Sequence, residues 1–375
     1  MRLAFLIPTI DRIGGAERQV ILLATGMAQR GWDVTVIALS GNGGDVLEQL
    51  SSRGVSFLSL EMRKGLADPR GWIRLHRWLA LHKPDVVHAH LPHASLLARW
   101  SRLATPIRVL IDTIHSPATG SAVRRFAFRI SCRLPDTVTA VSTATAEAWL
   151  KAGIVHDAKF SVIPNGVDID YWKPNYEAQR STEFGEKFVW LTVGRLHRVK
   201  DHATLLRAFA LLDAHSHLLI AGTGPLEPAL QRLSHELDLD DRVSFLGFQS
   251  DIRNWMHQSD AFVLSSRWEG MPVALMEACS FGLPAVITNT AGAVEVLPHP
   301  AVNPVPIGNS DLLAGAMRAL MSMPKAKRRD LASDQQQAAL SFDLSGVLDR
   351  YEALYRTSLD VLTSPIQLKS RADCL

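Results

Sequence analysis

Short runs of β-branched and aromatic residues alternate with amphipathic helical stretches along almost all of the 375 residues, and this alternation constrains the fold most. Strands are expected at residues 3–8 (LAFLIP), 33–39, 55–60, 85–90 (DVVHAH), 108–114 (RVLIDTI) and 137–142. A second series is expected at 188–194 (FVWLTVG), 217–222, 243–248, 261–266 (AFVLSS) and 284–289. Helical patterns lie between them, for example Ala16–Arg30, Ala203–Leu212, Leu226–Leu237 and Pro272–Phe281. Alternation of this kind implies parallel sheets with helices on both faces. Eleven strands are too many for one tidy sheet, so the fold class is α/β with two doubly wound, Rossmann-like domains. The join is expected near residues 163–174 (IPNGVDIDYWKP), where a turn dipeptide, two prolines and a change of charge sign coincide. The resulting division is 1–170 and 171–344, with a separate helical pattern at 345–360 and a loose tail at 361–375.

Composition excludes some classes. The chain is 47% hydrophobic and 21% charged, as soluble globular proteins are. No apolar run reaches the length that spans a bilayer. The first ten residues, MRLAFLIPTI, suit a strand better than a signal peptide, having no small-residue cleavage site. Cys132, Cys279 and Cys374 have no metal-like spacing, which points to a reducing, cytoplasmic setting. Charge is uneven: residues 1–170 hold 20 Lys/Arg against 14 Asp/Glu, a net of +6, and residues 62–133 alone hold 13 against three.

Ligands of open α/β sheets bind beyond the carboxyl ends of the strands, so the strand-to-helix turns hold the candidate residues. After the first strand, Gly14 and Gly15 lead into a helix; they suit close approach of a phosphate, or a plain tight turn. Arg195 and Lys200 bracket the turn after FVWLTVG, either as two cations on a diphosphate or as solvated loop residues. Gly222 and Gly224 repeat the pattern after the next strand, with Pro225 placed near the first helical position. No G-x-G-x-x-G follows the first strand, which disfavours a dinucleotide oxidoreductase. In SSRWEGMPVALMEACSF, the run from Val273 to Phe281 is apolar on nearly every face, yet it contains Glu277. A helix apolar all round is buried, and a buried carboxylate needs a partner. Glu269 lies in the turn before it, with Gly270, Met271, Pro272 and Val273 offering backbone amides around a Pro at the first helical position. Two carboxylates so spaced suit the hydroxyls of a ribose or a sugar ring. The alternative for Glu277 is a structural carboxylate satisfied by a neighbouring backbone or Arg.

These stretches together resemble the GT-B glycosyltransferases of family 4, the glycosyl transferases group 1 type, which retain anomeric configuration. The carrying residues are Glu269 and Glu277 in S-x-x-E-G-x-P-x-x-L-x-E-A, the G-R-L-x-x-x-K stretch of Gly194 to Lys200, GGAE at 14–17 and PNGVD at 164–168. The likeness extends to about residue 358. It implies two domains facing a central crevice, an N-terminal acceptor side and a C-terminal side for a nucleotide-diphosphate sugar, with residues 345–360 crossing back to the first domain. It assigns Glu277 to the ribose hydroxyls, Glu269 to the transferred sugar, and Arg195 and Lys200 to the diphosphate. His115, at the end of RVLIDTIH, matches the donor-sugar histidine, with Gly15 near the phosphates. Gly14, Gly222 and the 270–273 turn complete the donor set. No metal or other cofactor is implied, and the mechanism expected is a front-face displacement.

Two metal-like patterns are read otherwise. Asp168 and Asp170 form a D-x-D at the domain join, and His88, His90 and His93 are expected to line the crevice. The basic stretch is read as a docking face. Arg125, Arg129 and Arg133 recur at four-residue spacing, with Phe126 and Ile130 mostly opposite, and Trp72 and Trp78 stand among cations. Such a mixture suits an anionic membrane surface, or else a solvated face or an anionic soluble acceptor. Nucleic acid is disfavoured, as no recognition motif accompanies the charge. The sequence thus predicts a cytoplasmic, metal-independent retaining enzyme, peripheral at the inner face of the membrane. It would use a nucleotide-diphosphate sugar (a UDP-sugar favoured) to build a lipid-linked or surface-polysaccharide precursor such as lipopolysaccharide. The rivals are a phosphorylase or epimerase of the same fold and a catalytically silent nucleotide-sugar-binding subunit.

Overall fold

A computed structural model of the chain describes residues 1–11, 13–63, 68–155, 159–174, 182–297 and 303–363. Among them, twelve strands form two wholly parallel sheets. The first contains β1 (Arg2–Ile7), β2 (Asp33–Ala38), β3 (Ser56–Ser59), β4 (Val86–His90), β5 (Val109–Ile114), β6 (Thr137–Ala140) and β7 (Phe160–Val162), in the order β3-β2-β1-β4-β5-β6-β7. The second contains β8 (Phe188–Val193), β9 (Ser216–Ala221), β10 (Val243–Gly247), β11 (Ala261–Leu264) and β12 (Ala285–Ile287), in the order β10-β9-β8-β11-β12. Strand order reverses between β1 and β4 and between β8 and β11, so each sheet has a switch point where the turns beyond its strand ends part. The α/β, doubly wound architecture predicted from the alternation is therefore present twice. The short edge strand β7 was not among the eleven expected, since three residues leave almost no pattern to read.

By compactness the chain divides into one unit of Met1–Gly166 with Leu344–Leu375, and another of Val167–Asp343. In the first unit Phe5, Val34, Val36 and Ile111 are buried on one face of the sheet with Val20, Leu23 and Met27 of the helix Gly15–Gln29. The helix Leu344–Thr363 belongs to the same core, contributing Val347, Leu348, Tyr351 and Tyr355. Gly26 permits its close approach: a Cβ there would lie 2.5 Å from Leu348 Cδ1. Arg30 and Trp32 fix its outer face through Glu352, at 3.1 and 3.4 Å. This helix continues three residues into the segment expected as a loose tail; the rest of that tail lies outside the described residues.

In the second unit Trp190, Leu218, Ile220 and Val263 form a core with Leu205, Phe209, Leu313 and Met317 from flanking helices. The helix Val273–Phe281 is apolar all round because its surroundings are covered. It packs on β11 and β12 and against the helices Lys325–Ala339 and Ile169–Trp172. Gly282 ends it in the left-handed conformation, φ 87°. Two expected helix starts shift by a turn chemistry that local pattern does not resolve. Pro272 is the N-cap and not the first helical residue, with extended backbone. The helix after β9 begins at Glu227, so Pro228 and not Pro225 takes the initial proline position.

Candidate functional site

Beyond the carboxyl ends of β8 and β11, the second unit brings Lys200 and Glu269 together. Lys200 Nζ and Glu269 Oε1 are 2.6 Å apart, and Ser266 Oγ donates to the same oxygen at 2.6 Å. The two turns carrying them are tied by one side-chain and one backbone hydrogen bond. Ser265 Oγ donates to the Lys200 carbonyl at 2.8 Å, and the Arg267 amide donates to the Val199 carbonyl at 2.7 Å. Arg267 also pairs with Asp201 at 3.0 Å, and Asp201 itself holds a left-handed backbone, φ 49°. A non-glycine residue in that region is costly unless its surroundings hold it, and here the buried carboxylate and its arginine do so.

The glycines of this site are close-approach positions. Gly222 follows β9 at φ 138°, and a Cβ on it would lie 2.1 Å from the Gly194 carbonyl oxygen. A Cβ on Gly224 would meet the Leu196 carbonyl oxygen at 2.3 Å. Behind the Glu269–Gly270 turn stands Gly292, whose Cβ would fall 2.3 Å from the Gly270 carbonyl oxygen. Arg195 is exposed on the same loop as Lys200. Gly270, Met271, Pro272 and Val273 are buried, and Glu277, one turn into the helix, is only 4% exposed. Local pattern did not single out Ser266, Asp201, Arg267 or Gly292. Only the doubled serine before Glu269 and the lone glycine of NTAGA were available as signals.

The first unit holds the other candidates. Gly14 is the N-cap of the helix that Gly15 begins, and its amide donates to Glu17 Oε2 at 3.1 Å. His115 follows β5 and is half-buried; its Nε2 lies 2.9 Å from Nδ1 of His90. Burial holds the His115 pKa down at about 4, so the ring is neutral near pH 7. The expectation that His88 and His90 line a crevice is corrected. Both are fully buried in β4, because a parallel central strand is covered on both faces. His88 Nδ1 lies 2.7 Å from the Tyr355 hydroxyl and its Nε2 lies 2.6 Å from Thr113 Oγ1. His93 alone of the three is exposed.

Among the described residues no group of three or more His, Cys, Asp or Glu side chains converges as a metal site. Asp168 caps the short helix Ile169–Trp172 by accepting the Tyr171 amide at 3.0 Å, and Asp170 pairs with Lys173 at 2.5 Å. The basic stretch separates into two parts. Trp72 and Trp78 pack partly against the core under the helix Pro69–His82. The helix Ala122–Ile130 instead buries only Phe128 and exposes Val123, Phe126 and Ile130 at 79%, 63% and 56%. Among the described residues no helix is long and apolar enough to cross a membrane.

The sequence matches a known family along most of its length. Residues 13–171 match the family described as Glycosyltransferase Family 4, and residues 175–338 match Glycosyl transferases group 1. The chain belongs to the GT-B glycosyltransferases of this family 4, group 1 type. It is 31% identical over 249 residues to the Escherichia coli UDP-Gal:alpha-D-GlcNAc-diphosphoundecaprenol alpha-1,3-galactosyltransferase, covering 60% of this chain and 63% of that one. It is 28% identical to the Mycobacterium tuberculosis GDP-mannose-dependent alpha-(1-6)-phosphatidylinositol monomannoside mannosyltransferase, over 79% of this chain and 82% of that one. The chain thus spans under two thirds of the former relative's length. Its fold is shared with Anabaena HepE, solved in complex with UDP-glucose, at a TM-score of 0.82 and 23% identity over 95% of this chain and 100% of that one.

Proposed function

We propose that the protein is a retaining glycosyltransferase that moves a sugar from a nucleotide-diphosphate sugar, a UDP-sugar in preference, to a lipid-linked or surface-polysaccharide precursor without a metal ion. The observation that carries this reading is the Lys200–Glu269 pair at the strand ends of the second unit, on the turn before the buried Glu277. In this reading Lys200 and Arg195 take the diphosphate and stabilise the negative charge that develops as it leaves. Glu269 takes hydroxyls of the transferred sugar, and Glu277 takes those of the ribose, each carboxylate accepting paired hydrogen bonds. His115 is assigned to the transferred sugar, and Gly14 and Gly15 to the phosphates. Neither glutamate is assigned a nucleophilic role, so the departing phosphate would assist deprotonation of the acceptor on the same face. The E. coli relative's UDP-Gal donor and diphosphoundecaprenol acceptor support the donor and acceptor classes. The mycobacterial relative's GDP-mannose leaves the base to experiment.

That experiment is thermal unfolding with UDP, GDP and ADP, for the wild type and Glu277→Ala. A nucleotide at about 100 times its dissociation constant stabilises by roughly 2.7 kcal/mol. We expect UDP to raise the wild-type melting temperature and Glu277→Ala to lose the shift. No shift with any nucleotide would remove the donor assignment. A UDP shift without turnover of any UDP-sugar would favour a silent binding subunit.

The exposed Val123, Phe126 and Ile130 beside Arg124, Arg125, Arg129 and Arg133 support peripheral docking on an anionic leaflet, where the acceptor's lipid would lie. Vesicle sedimentation tests it. Binding should favour anionic over neutral vesicles, weaken with salt, and drop in Phe126→Ser; equal binding to neutral vesicles removes the electrostatic component.

A further inference from the structure

The buried histidines of β4 have no role in the reaction as proposed, yet one of them is hydrogen-bonded to His115. We infer that His90 is a positioning residue that fixes the tautomer of His115, leaving His115 Nδ1–H as a hydrogen-bond donor for the substrate. The inference rests on the reading of His115 as a donor-sugar contact.

The geometry carries the argument. One proton is shared between His90 Nδ1 and His115 Nε2, 2.9 Å apart. The other ring nitrogen of His90, Nε2, is buried without a hydrogen-bond partner. Its ring is enclosed by those of Phe5 and His88, with centroids 5.7 and 4.1 Å away. If His115 donated the shared proton, neutral His90 would carry its own proton on Nε2, as an orphaned N–H in the core. Orphaned buried N–H groups are the rarest kind of unsatisfied polar group. The opposite arrangement avoids this: His90 Nδ1–H donates, His115 Nε2 accepts, and only a lone pair faces the core. Neutral His115 then carries its proton on Nδ1, an atom with no partner among the described residues. Burial keeps both rings neutral, lowering His115 to about 4 and His90 well below its ordinary value. A donor at that position can serve a sugar hydroxyl or a phosphate oxygen, whereas a bare nitrogen would repel the latter. The strand is held in turn by His88, bonded to Tyr355 and Thr113.

The test is a long-range proton–nitrogen correlation spectrum of the full chain with labelled histidine, near neutral pH, with His115 assigned by its loss in His115→Gln. The expected wild-type spectrum shows His115 protonated at Nδ1; protonation at Nε2 overturns the inference without reference to any substrate. His90→Phe keeps a ring but removes the donor, and should release His115 to the Nε2–H form. His90→Asn returns an N–H near the Nδ1 position and should restore the wild-type tautomer. For turnover, a hydrogen bond lost in the transition state predicts about a tenfold fall in kcat for His90→Phe, largely restored in His90→Asn, at unchanged UDP affinity. A tautomer unaffected by His90→Phe, in protein that melts like the wild type, also overturns it. If no UDP-sugar is turned over, the catalytic reading fails while the spectrum still decides the tautomer.

Discussion

Single residues at this site are constrained by backbone proximity as much as by chemistry. Gly222 and Gly224 face carbonyl oxygens of the Gly194–Leu196 loop at distances that no Cβ tolerates. Gly222→Ala is therefore expected to cost about 2 kcal/mol and to push the Arg195–Lys200 loop away from Glu269. Urea unfolding should show the loss of stability, and UDP should no longer raise the melting temperature. A variant with wild-type stability and an intact UDP shift would mean that the loop yields freely. At this scale the pairing of Lys200 with Glu269 joins two residues that the sequence had already singled out, each from its own turn. Asp201 and Arg267 were not singled out, and His90 was noted only as a crevice-lining residue, because an ion pair or a shared proton between turns leaves no local trace.

At the scale of elements, a buried ion pair joins helix and sheet. Arg99, on the helix Pro92–Ser101, reaches Asp112 of β5 at 2.6 Å with both side chains fully buried. Its guanidinium also donates to the Phe128 carbonyl at 3.3 Å and lies over the Phe128 ring at 4.6 Å. Arg99 thereby anchors the helix whose outer face carries Val123, Phe126 and Ile130. Removing one partner of such a pair strands the other charge, so Arg99→Met should cost about 3–5 kcal/mol. Adding Asp112→Leu should recover most of it, since two apolar residues can replace a buried pair. Denaturant midpoints of the single and double variants check this; equal loss in both would show that packing, not charge, is at stake. The pair was invisible in sequence, as Arg99 and Asp112 lie in different elements with no fixed spacing.

For the whole molecule, buried neutral histidines set the response to acid. Burial lowers His88 and His202 to about 3, and His115 and His217 to about 4, from an ordinary 6.5. Between these values and 6.5 the unfolded chain binds protons that the folded chain does not, so stability falls as pH falls. Each such histidine contributes a slope of up to about 1.4 kcal/mol per pH unit. Melting temperature should be level above neutrality and drop steeply between about pH 6.5 and 4. A flat profile across that window would contradict the burial of these rings.

The two parallel sheets, the turns that hold Gly14, Lys200 and Glu269, and the burial of the helix after Glu269 were all determined by the order of residues alone. Each is written in local periodicity and in the spacing of glycines and carboxylates along one segment. The motif resemblance already sent residues 345–360 back to the first domain, but only the tertiary structure decided how they dock. The helix Leu344–Thr363 packs on the first unit through Gly26, and His88 and His90 sit inside that unit and not along a surface. Those outcomes depend on contacts between residues far apart in the chain, whose energy comes from shape and shared burial and so has no period to read.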